Sequence, residues 1–347
     1  MVWSPETRRH EPQREVWVGV PTEGTEVPAR VDRILEALVG HELVEATSYD
    51  DAVLRRVHAP AFLDHLRTIH DQWLKGPYDE LVGQDRVVPY VFPTPAMTQG
   101  MPATPAAATH GRAGQYCYDT MTLVGPGTWE AARAAVDCAL TAAALVTATT
   151  TTTTAYALCR PPGHHATREG FGGSCYLNNA AVAAEALLDA GHATVAVVDL
   201  DAHHGNGTQA TFWERADVRY GSLHVDPGAG WFPHFFGHVS ERGAGDGAGA
   251  TRNLPLPEGT RDDAWLDGVR ALTDWVSGAD ALVVSLGVDA AADDPESPLL
   301  VTADGYAAAG SLLGSLGLPA VVVQEGGYHL PSLGGLVSAY LAGHDAG

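Results

Sequence analysis

Short apolar runs alternate with longer segments of helical periodicity along this chain. The runs are rich in valine and lack the polar–apolar alternation of half-exposed strands, as expected for strands buried on both faces. They lie at 194–200, 218–225, 281–288 and 320–324. Helical patterns occupy 29–38, 61–74, 128–146, 177–190, 262–276 and 302–316. This order predicts a single α/β domain over residues 1–347, with a central parallel sheet and helices on both faces.

Two segments depart from that pattern. Residues 85–114 contain five prolines and few periodic apolar positions, so we expect a long inserted loop there. Residues 228–249 are rich in glycine, with aromatic residues embedded. The threonine run at 149–154 has strand propensity but would serve equally as a linker.

Charge and composition narrow the classes of partner. The chain has 20 basic and 42 acidic residues and a formal net charge of −22, which repels nucleic acid and anionic lipid and favours cationic ligands. No uninterrupted apolar stretch reaches the roughly 18 residues of a membrane-spanning helix, and the first residues lack the apolar core of a secretory signal. Four cysteines without a C-x-x-C pair indicate free thiols in a reducing compartment. We therefore expect a cytoplasmic protein that binds neither nucleic acid nor membrane.

Polar clusters follow directly after several apolar runs. They read RPPGHH at 160–165, DLDAHHGNG at 199–207, a single aspartate at 289 and EGGY at 325–328. In open α/β sheets, ligands bind beyond the carboxyl ends of the strands. The clusters therefore predict one shared site at that edge of the sheet.

Asp201, His203 and Asp289 have the side chains of a catalytic metal site. In extended backbone, positions i and i+2 share a face, so Asp201 and His203 can converge on one ion with Asp289 as the third ligand. Two carboxylates and one imidazole leave a position open, as expected of catalytic zinc, although iron, cobalt or manganese would also accept these ligands. The alternative interpretation is that Asp201 and His203 merely cap the following helix.

His164 and His165 would supply an imidazole that accepts a proton beside the metal and later returns it. Asp199 and Asn206 are candidates to fix the tautomers of these rings. Tyr328, after two glycines, could donate its hydroxyl to a developing oxyanion. Taken alone, the histidines could equally be surface residues and the tyrosine a packed aromatic.

Taken together, the motifs resemble those of the histone deacetylase superfamily. They are RPPGHH, GGSCYLNNA at 172–180, DLDAHHGNGTQ at 199–209, SLGVD at 285–289 and EGGY, in the family's order over roughly residues 25–345. The resemblance implies the arginase/deacetylase fold, with about eight parallel strands, and one metal ion per chain. The stretches PGTWEAA at 126–132, HVDP at 224–227, FPHF at 232–235 and DP at 294–295 are similar to bacterial acetylpolyamine amidohydrolases.

The resemblance assigns roles by position. The metal ligands are matched by Asp201, His203 and Asp289, with Zn²⁺ as the ion and Fe²⁺ or Co²⁺ as alternatives. His165 matches the general base and acid, His164 its electrostatic partner, and Tyr328 the tyrosine that polarises the carbonyl. Asp199 and Asn206 match residues that hold the two histidines.

The resemblance also implies substrate and ion contacts. Gly173 would offer its carbonyl to the substrate amide, and Phe232, or Trp231 beside it, would form one wall of the substrate tunnel. A structural K⁺ site is implied at Asp199, Asp201, His203, Ser222 and Leu223. The loop at 85–114 resembles an insertion that builds a homodimer interface and narrows the active-site mouth.

Two positions depart from the family's pattern. Ser174 stands where an aromatic usually forms the other tunnel wall, and His110 aligns with a glutamate near the tunnel mouth in the polyamine branch. The sequence therefore predicts a zinc-dependent amidohydrolase for acetylpolyamines or similar small cationic acetyl-amines. An acetyl-lysine protein or peptide is the alternative substrate.

Two other classes of function fit the sequence less well. An arginase-type ureohydrolase needs two manganese ions and further carboxylates, where this chain has His204-Gly205. A non-catalytic relative would be expected to have lost a ligand, a histidine of the pair or the tyrosine, and all six are present.

Overall fold

The computed structural model describes residues 1–77, 80, 85–102, 104–148 and 153–347. Its strands are β1 (Val2–Trp3), β2 (Glu15–Trp17), β3 (Val20–Thr22), β4 (Val44–Glu45), β5 (Thr154–Ala157), β6 (Val195–Asp199), β7 (Val218–Val225), β8 (Thr251–Leu256), β9 (Ala281–Leu286) and β10 (Ala320–Gln324).

Helices connect these strands and cover the sheet. They are α1 (Ala29–Ala37), α2 (Leu54–Val57), α3 (Pro60–Leu74), α4 (Pro95–Thr98), α5 (Thr109–Arg112), α6 (Thr128–Ala148), α7 (Asn179–Asp189), α8 (Asn206–Phe212), α9 (Asp262–Val276), α10 (Ala303–Gly314) and α11 (Leu330–Ala346).

One parallel sheet organises the chain. Within the described residues it has eight strands in the order β4-β1-β5-β10-β9-β6-β7-β8, and every neighbouring pair is parallel. Strands β2 and β3 form a separate antiparallel hairpin. The predicted α/β fold with a central parallel sheet of about eight strands is confirmed.

Alternate residues of the central strands enter two different cores. Val195 and Val197 of β6 pack with α3, α6 and α7 on one face, whereas Ala196 and Val198 pack with α1, α9, α10 and α11 on the other. Because both faces are covered by helices, every position of these strands is buried, which explains the continuous apolar runs.

Helix α6 lies in the hydrophobic core of the protein. Among the described helices, it alone is long and apolar enough to cross a membrane, yet 72% of its most apolar window is buried inside the protein. Its alanine-rich surface packs against the sheet and α7. The apolar character of α6 is therefore accounted for by the core.

Several elements differ from the sequence expectations. The run at 194–200 ends as a strand at Asp199 and that at 281–288 ends at Leu286, because the chain then leaves the sheet to build loops. Strands β1 and β4 have two residues each, too few to show a period, and β8 contains a proline. The threonine run at 149–154 lies largely outside the described residues, and β5 begins at its last residue.

The segment at 85–114 contains only two one-turn helices, α4 and α5, among its described residues, which exclude 103. Val87 pairs with Val124 in an isolated bridge, and Arg86 donates to the carbonyl of Glu11. The segment is therefore tied to the body of the protein at its start.

We predict that two glycines of α11 differ sharply in their tolerance of alanine. A Cβ at Gly343 would lie 1.9 Å from the carbonyl oxygen of Ala307 in α10, whereas one at Gly335 would meet no atom within 4 Å. Gly343→Ala should lower the free energy of unfolding by about 1–3 kcal/mol, since the helices must separate. Gly335→Ala should raise it by about 0.5–1 kcal/mol, the helix-propensity difference. Urea unfolding measures both, and equal stabilities of the two variants would contradict this packing.

Candidate active site

The candidate site lies where four neighbouring strands end. Strands β5, β10, β9 and β6 are adjacent and parallel, so their carboxyl ends share one edge of the sheet. The loops after them carry the clusters found in the sequence, at 160–165, 325–328, 287–289 and 200–206. The structure thus brings all four clusters to one place.

Asp201, His203 and Asp289 converge in these loops. His203 Nδ1 lies 3.1 Å from Asp201 Oδ1 and 3.0 Å from Asp289 Oδ2, and the three ligand atoms lie within 4.8 Å of one another. The predicted reason for this convergence was wrong: β6 ends at Asp199 and the chain bends at 201–203, so the bend rather than strand alternation brings the side chains together.

The charges of this cluster fit a cation. Both carboxylates are fully buried, and burial together with the charge of Asp201 raises the pKa of Asp289 to about 8. Burial lowers the pKa of His203, but hydrogen bonds to both carboxylates outweigh it and raise that pKa well above its ordinary value. The cluster therefore draws positive charge to its centre, and its oxygen and nitrogen donors suit Zn²⁺, Fe²⁺ or Co²⁺.

Backbone donors hold each carboxylate in place. The N–H of Gly326 donates to Asp201 Oδ2 at 2.8 Å, and the N–H of Ala202 donates to Asp289 Oδ1 at 2.8 Å. One oxygen of each carboxylate is thereby fixed to the backbone, and the other faces His203. The loops thus orient three ligand atoms toward a common point.

The adjacent histidines have different partners. His164 Nδ1 donates to Asp199 Oδ2 at 3.0 Å, and His165 Nδ1 donates to Asn206 Oδ1 at 2.8 Å, with the ring centres 4.0 Å apart. Burial alone lowers the pKa of His164, but Asp199 and Asp201 raise it to about 10. Burial and the neighbouring His164 hold the pKa of His165 well below its ordinary value. His165 is therefore a neutral ring whose Nε2 is an acceptor, and a divalent cation nearby would reinforce that state.

Buried charges support the loops that carry His164 and Tyr328. Glu325 accepts hydrogen bonds from the N–H groups of Gly163 and His164, at 2.7 and 3.2 Å. Arg30 donates to the carbonyl of Gly327 at 2.7 Å, and its guanidinium lies 4.9 Å from the centre of the Tyr328 ring. Burial raises the pKa of the Tyr328 hydroxyl well above its ordinary value, so the hydroxyl stays protonated and able to donate.

Arg30 is itself held by a charge cluster that the sequence did not reveal. Glu26 Oε1 lies 2.8 Å from Arg30 Nη1 and 2.8 Å from Arg160 Nε, and all three side chains are buried. Arg160 belongs to the RPPGHH motif, whereas Glu26 and Arg30 precede the predicted sheet by more than a hundred residues. The separation in sequence left no signal that these residues support the site.

A cavity of about 440 Å³ opens onto the site. His165, His203 and Tyr328 form part of its lining, as do the predicted substrate-binding residues Gly173, Ser174, Trp231 and Phe232. Phe232 packs edge-on against His165, with ring centres 4.8 Å apart. Gly173 has a φ of +57°, and a Cβ there would lie 2.3 Å from the His165 ring and 2.7 Å from Phe232. Only glycine fits at that position.

Ser174 lines the cavity with a short side chain, at the position where the resemblance implies an aromatic residue. Its N–H donates to Thr122 Oγ1 at 2.9 Å, and the neighbouring Gly173 N–H donates to Asp119 Oδ2 at 2.6 Å. Asp119 also accepts from the N–H groups of Met121 and Thr122, so its carboxylate organises the turn beside the cavity. Met121 lines the cavity in addition to Ser174.

The cavity has an acidic lining, which the sequence patterns did not predict. Glu15, Glu23 and Glu296 line it, together with Trp17, Thr22 and Thr25. Burial and the charge of Glu296 raise the pKa of Glu15 to about 8, and Thr25 donates to Glu296 Oε1 at 3.0 Å. These acids come from the β2–β3 hairpin and from the loop after β9, so no local motif unites them.

His110 is not among the described residues that line this cavity. It lies in α5, and its ring stacks on Tyr90 of the same inserted segment with centres 6.0 Å apart. Its contact with the substrate stays a prediction.

Comparisons with known proteins agree in family and in extent. The Histone deacetylase domain matches residues 24–344. The acetylpolyamine amidohydrolase of Mycoplana ramosa is 38% identical over 357 residues, covering 99% of this chain and 98% of that protein. The protein of the same name from Burkholderia pseudomallei (strain 1710b) is 40% identical over 348 residues, covering 99% and 97%. A crystal structure of acetylpolyamine aminohydrolase from Burkholderia pseudomallei has a TM-score of 0.91 at 38% identity and covers 100% of this chain and 99% of that one.

We predict that Zn²⁺ stabilises the metal-free protein through Asp289. At a free concentration one hundred times the dissociation constant, the stabilisation should be about 2.7 kcal/mol. Thermal unfolding of the chelator-treated protein, with and without Zn²⁺, measures it, and bound metal should be close to one ion per chain. Asp289→Asn should abolish the shift, whereas Asp293→Asn, at an exposed carboxylate nearby, should retain it. A full shift in Asp289→Asn, or two ions per chain, would contradict a site of this kind.

Proposed function

The chain belongs to the histone deacetylase family and is a hydrolytic deacetylase, and we propose that it acts as a zinc-dependent amidohydrolase on acetylpolyamines or similar small cationic acetyl-amines. The observation that carries this proposal is a cavity lined by acidic residues and by His165, His203 and Tyr328, with Asp201 and Asp289 beside His203. Hydrolysis of the amide would release acetate and the free amine.

The acidic lining supports a cationic substrate. Glu15 and Glu296 lie close enough for the charge of one to raise the pKa of the other, so an ammonium between them would relieve their repulsion. Trp17 lines the same part of the cavity and offers an aromatic face to a cation. The relatives named above are acetylpolyamine amidohydrolases, whose substrates carry an acetyl amide at one end and ammonium groups beyond it.

Residues of this chain divide the chemical work. A bound divalent ion would polarise the acetyl carbonyl and lower the pKa of a water molecule. Tyr328 would donate its hydroxyl to the carbonyl oxygen and stabilise the oxyanion as the water adds. His165 Nε2 would accept the proton of that water and then deliver it to the leaving amine nitrogen, while Nδ1 stays bonded to Asn206.

The remaining residues orient the substrate and the base. Gly173 would accept the amide N–H with its carbonyl, and Phe232 would pack along the apolar chain next to the acetyl group. His164, paired with Asp199, would keep a positive charge beside His165 and favour return of the proton. The reaction is thereby balanced: one water is consumed, and acetate and amine leave.

An acetyl-lysine peptide is the alternative substrate, and the short side chain of Ser174 favours it. An aromatic residue at that position would confine a slender chain, whereas Ser174 and Met121 leave room for a bulkier amine. The acidic lining favours the small cations, because a peptide chain carries no fixed positive charge at the corresponding position. Acetate release from acetylputrescine, compared with release from an acetyl-lysine peptide, separates the two substrates.

Three further expectations belong to this proposal. A structural K⁺ site would use backbone carbonyls near Asp199, which pairs with Ser222 across β6 and β7, and Leu223 follows in β7. A homodimer would cover the exposed apolar side chains Tyr90, Met97 and Met101 of the inserted segment. A cytoplasmic location follows from the sequence features alone and stays a prediction.

We predict that Glu296→Gln weakens binding of acetylputrescine specifically. Loss of the carboxylate removes the attraction for the distal ammonium, so KM should rise about tenfold, equivalent to about 1.4 kcal/mol, with kcat nearly unchanged. N-pentylacetamide, which has the same length with a methyl group in place of the ammonium, should keep its KM. Steady-state acetate release measures both substrates, and Glu258→Gln, at an exposed carboxylate outside the cavity, is the control. An equal rise in KM for the two substrates would rule out recognition of charge by Glu296.

A further inference from the structure

Asp294 lies between the acidic lining of the cavity and the loop that carries Tyr328. It follows β9 by eight residues and is only 8% exposed. We propose that Asp294 is a positioning residue, which sets the place of the Tyr328 hydroxyl through the backbone. This inference rests on the proposed function, because it assigns Asp294 a role through Tyr328.

The carboxylate of Asp294 collects three backbone donors from two loops. Its Oδ2 accepts the N–H of Tyr328 at 2.6 Å and the N–H of His329 at 3.1 Å. Its Oδ1 accepts the N–H of Glu296 at 3.0 Å. Hydrogen bonds to an ionised acceptor are shorter and about twice as strong as neutral ones. A single buried side chain therefore fixes the backbone on both sides of it.

The backbone before Tyr328 needs an external restraint. Gly326 and Gly327 precede the tyrosine, and Gly327 has a φ of +119°, a conformation that glycine adopts and other residues rarely do. Helix α11 begins only at Leu330, so no helical hydrogen bonds hold residue 328 from the other side. The two N–H groups given to Asp294 therefore fix the backbone between the two glycines and helix α11.

The second restraint acts on the ring and on the preceding carbonyl rather than on the Tyr328 N–H. Arg30 lies over the Tyr328 ring and donates to the carbonyl of Gly327. Arg30 thus holds the ring and the Gly327 carbonyl, whereas Asp294 holds the N–H groups of Tyr328 and His329. Without Asp294 the contacts to Arg30 remain, but these two N–H groups lose their acceptor.

Asp294 also connects the two ends of the proposed substrate. Through the Glu296 N–H it holds the residue proposed to meet the distal ammonium, and through Tyr328 it holds the group proposed to meet the carbonyl oxygen. A displacement of about 1 Å at a reacting group can cost two orders of magnitude in rate. The expected consequence of losing Asp294 is therefore a loss in kcat, larger than any change in KM.

A double-mutant cycle between Asp294 and Tyr328 tests the inference. Acetate release from acetylputrescine is measured for the wild type, Asp294→Ala, Tyr328→Phe and the double variant, each zinc-loaded and checked by thermal unfolding. Asp294→Ala should lower kcat about ten- to a hundredfold, with a smaller change in KM. In the Tyr328→Phe background, the same substitution should lower kcat by less than about threefold, because the hydroxyl it positions is already absent.

A conservative variant and a control variant complete the double-mutant cycle. Asp294→Asn, which preserves the volume and one acceptor oxygen, is carried through the same cycle and should show a smaller loss with the same non-additivity. Asp293→Ala removes the adjacent exposed carboxylate, which contacts the side chains of His329 and Ser332, and should leave kcat within about twofold of the wild type.

The outcomes separate the inference from the function it rests on. If Tyr328→Phe alone keeps full turnover, the proposed role of Tyr328 fails, and the role of Asp294 fails with it. If Tyr328→Phe is strongly impaired but Asp294→Ala lowers kcat by the same factor in both backgrounds, Asp294 acts only as a structural residue and the inference is overturned. A loss confined to the background that retains the Tyr328 hydroxyl supports it.

Discussion

The structure depends on two carboxylates that are buried side by side. Asp201 and Asp289 lie beyond the ends of adjacent strands β6 and β9, and His203 lies about 3 Å from an oxygen of each. Buried like charges are unfavourable unless a cation or several hydrogen bonds compensate them. The backbone donors at Ala202 and Gly326, and the demand for a central cation, follow from that constraint.

The other buried charges around the site cost less free energy, because each of them has an opposite charge or backbone donors. Asp199 is paired with His164, and Glu26 is shared by Arg30 and Arg160. Glu325 is bonded to the backbone of the histidine loop. These pairs connect the amino-terminal segment, the histidines and the tyrosine loop into one support. The acidic lining of the cavity differs, because Glu15 and Glu296 have no arginine or lysine beside them among the described residues that line it. Such a lining suits an ammonium group.

The sequence predicted the parts that local patterns specify. Val218–Val225, Ala320–Gln324 and Asp262–Val276 were placed at their observed bounds, because each lies between clear polar or glycine-containing boundaries. The chemical residues were found because they cluster directly after buried strands. What escaped were contacts between distant segments: the Glu26 cluster, the hairpin with Glu15, and Asp294 beneath Tyr328. The convergence of Asp201 and His203 was predicted for the wrong reason, because the chain bends where an extended strand was assumed.

We propose that this site hydrolyses acetyl amides of small cationic amines, and acetate release tests that proposal most directly. Zinc-loaded protein is incubated separately with acetylputrescine, acetylspermidine, acetylcadaverine and an acetyl-lysine peptide, beside His165→Ala under the same conditions. We expect faster acetate release from the three small amines than from the peptide, and loss of all four activities in His165→Ala. Release from the peptide alone would contradict the substrate assignment, and release no faster than that of His165→Ala from every substrate would contradict the chemistry itself.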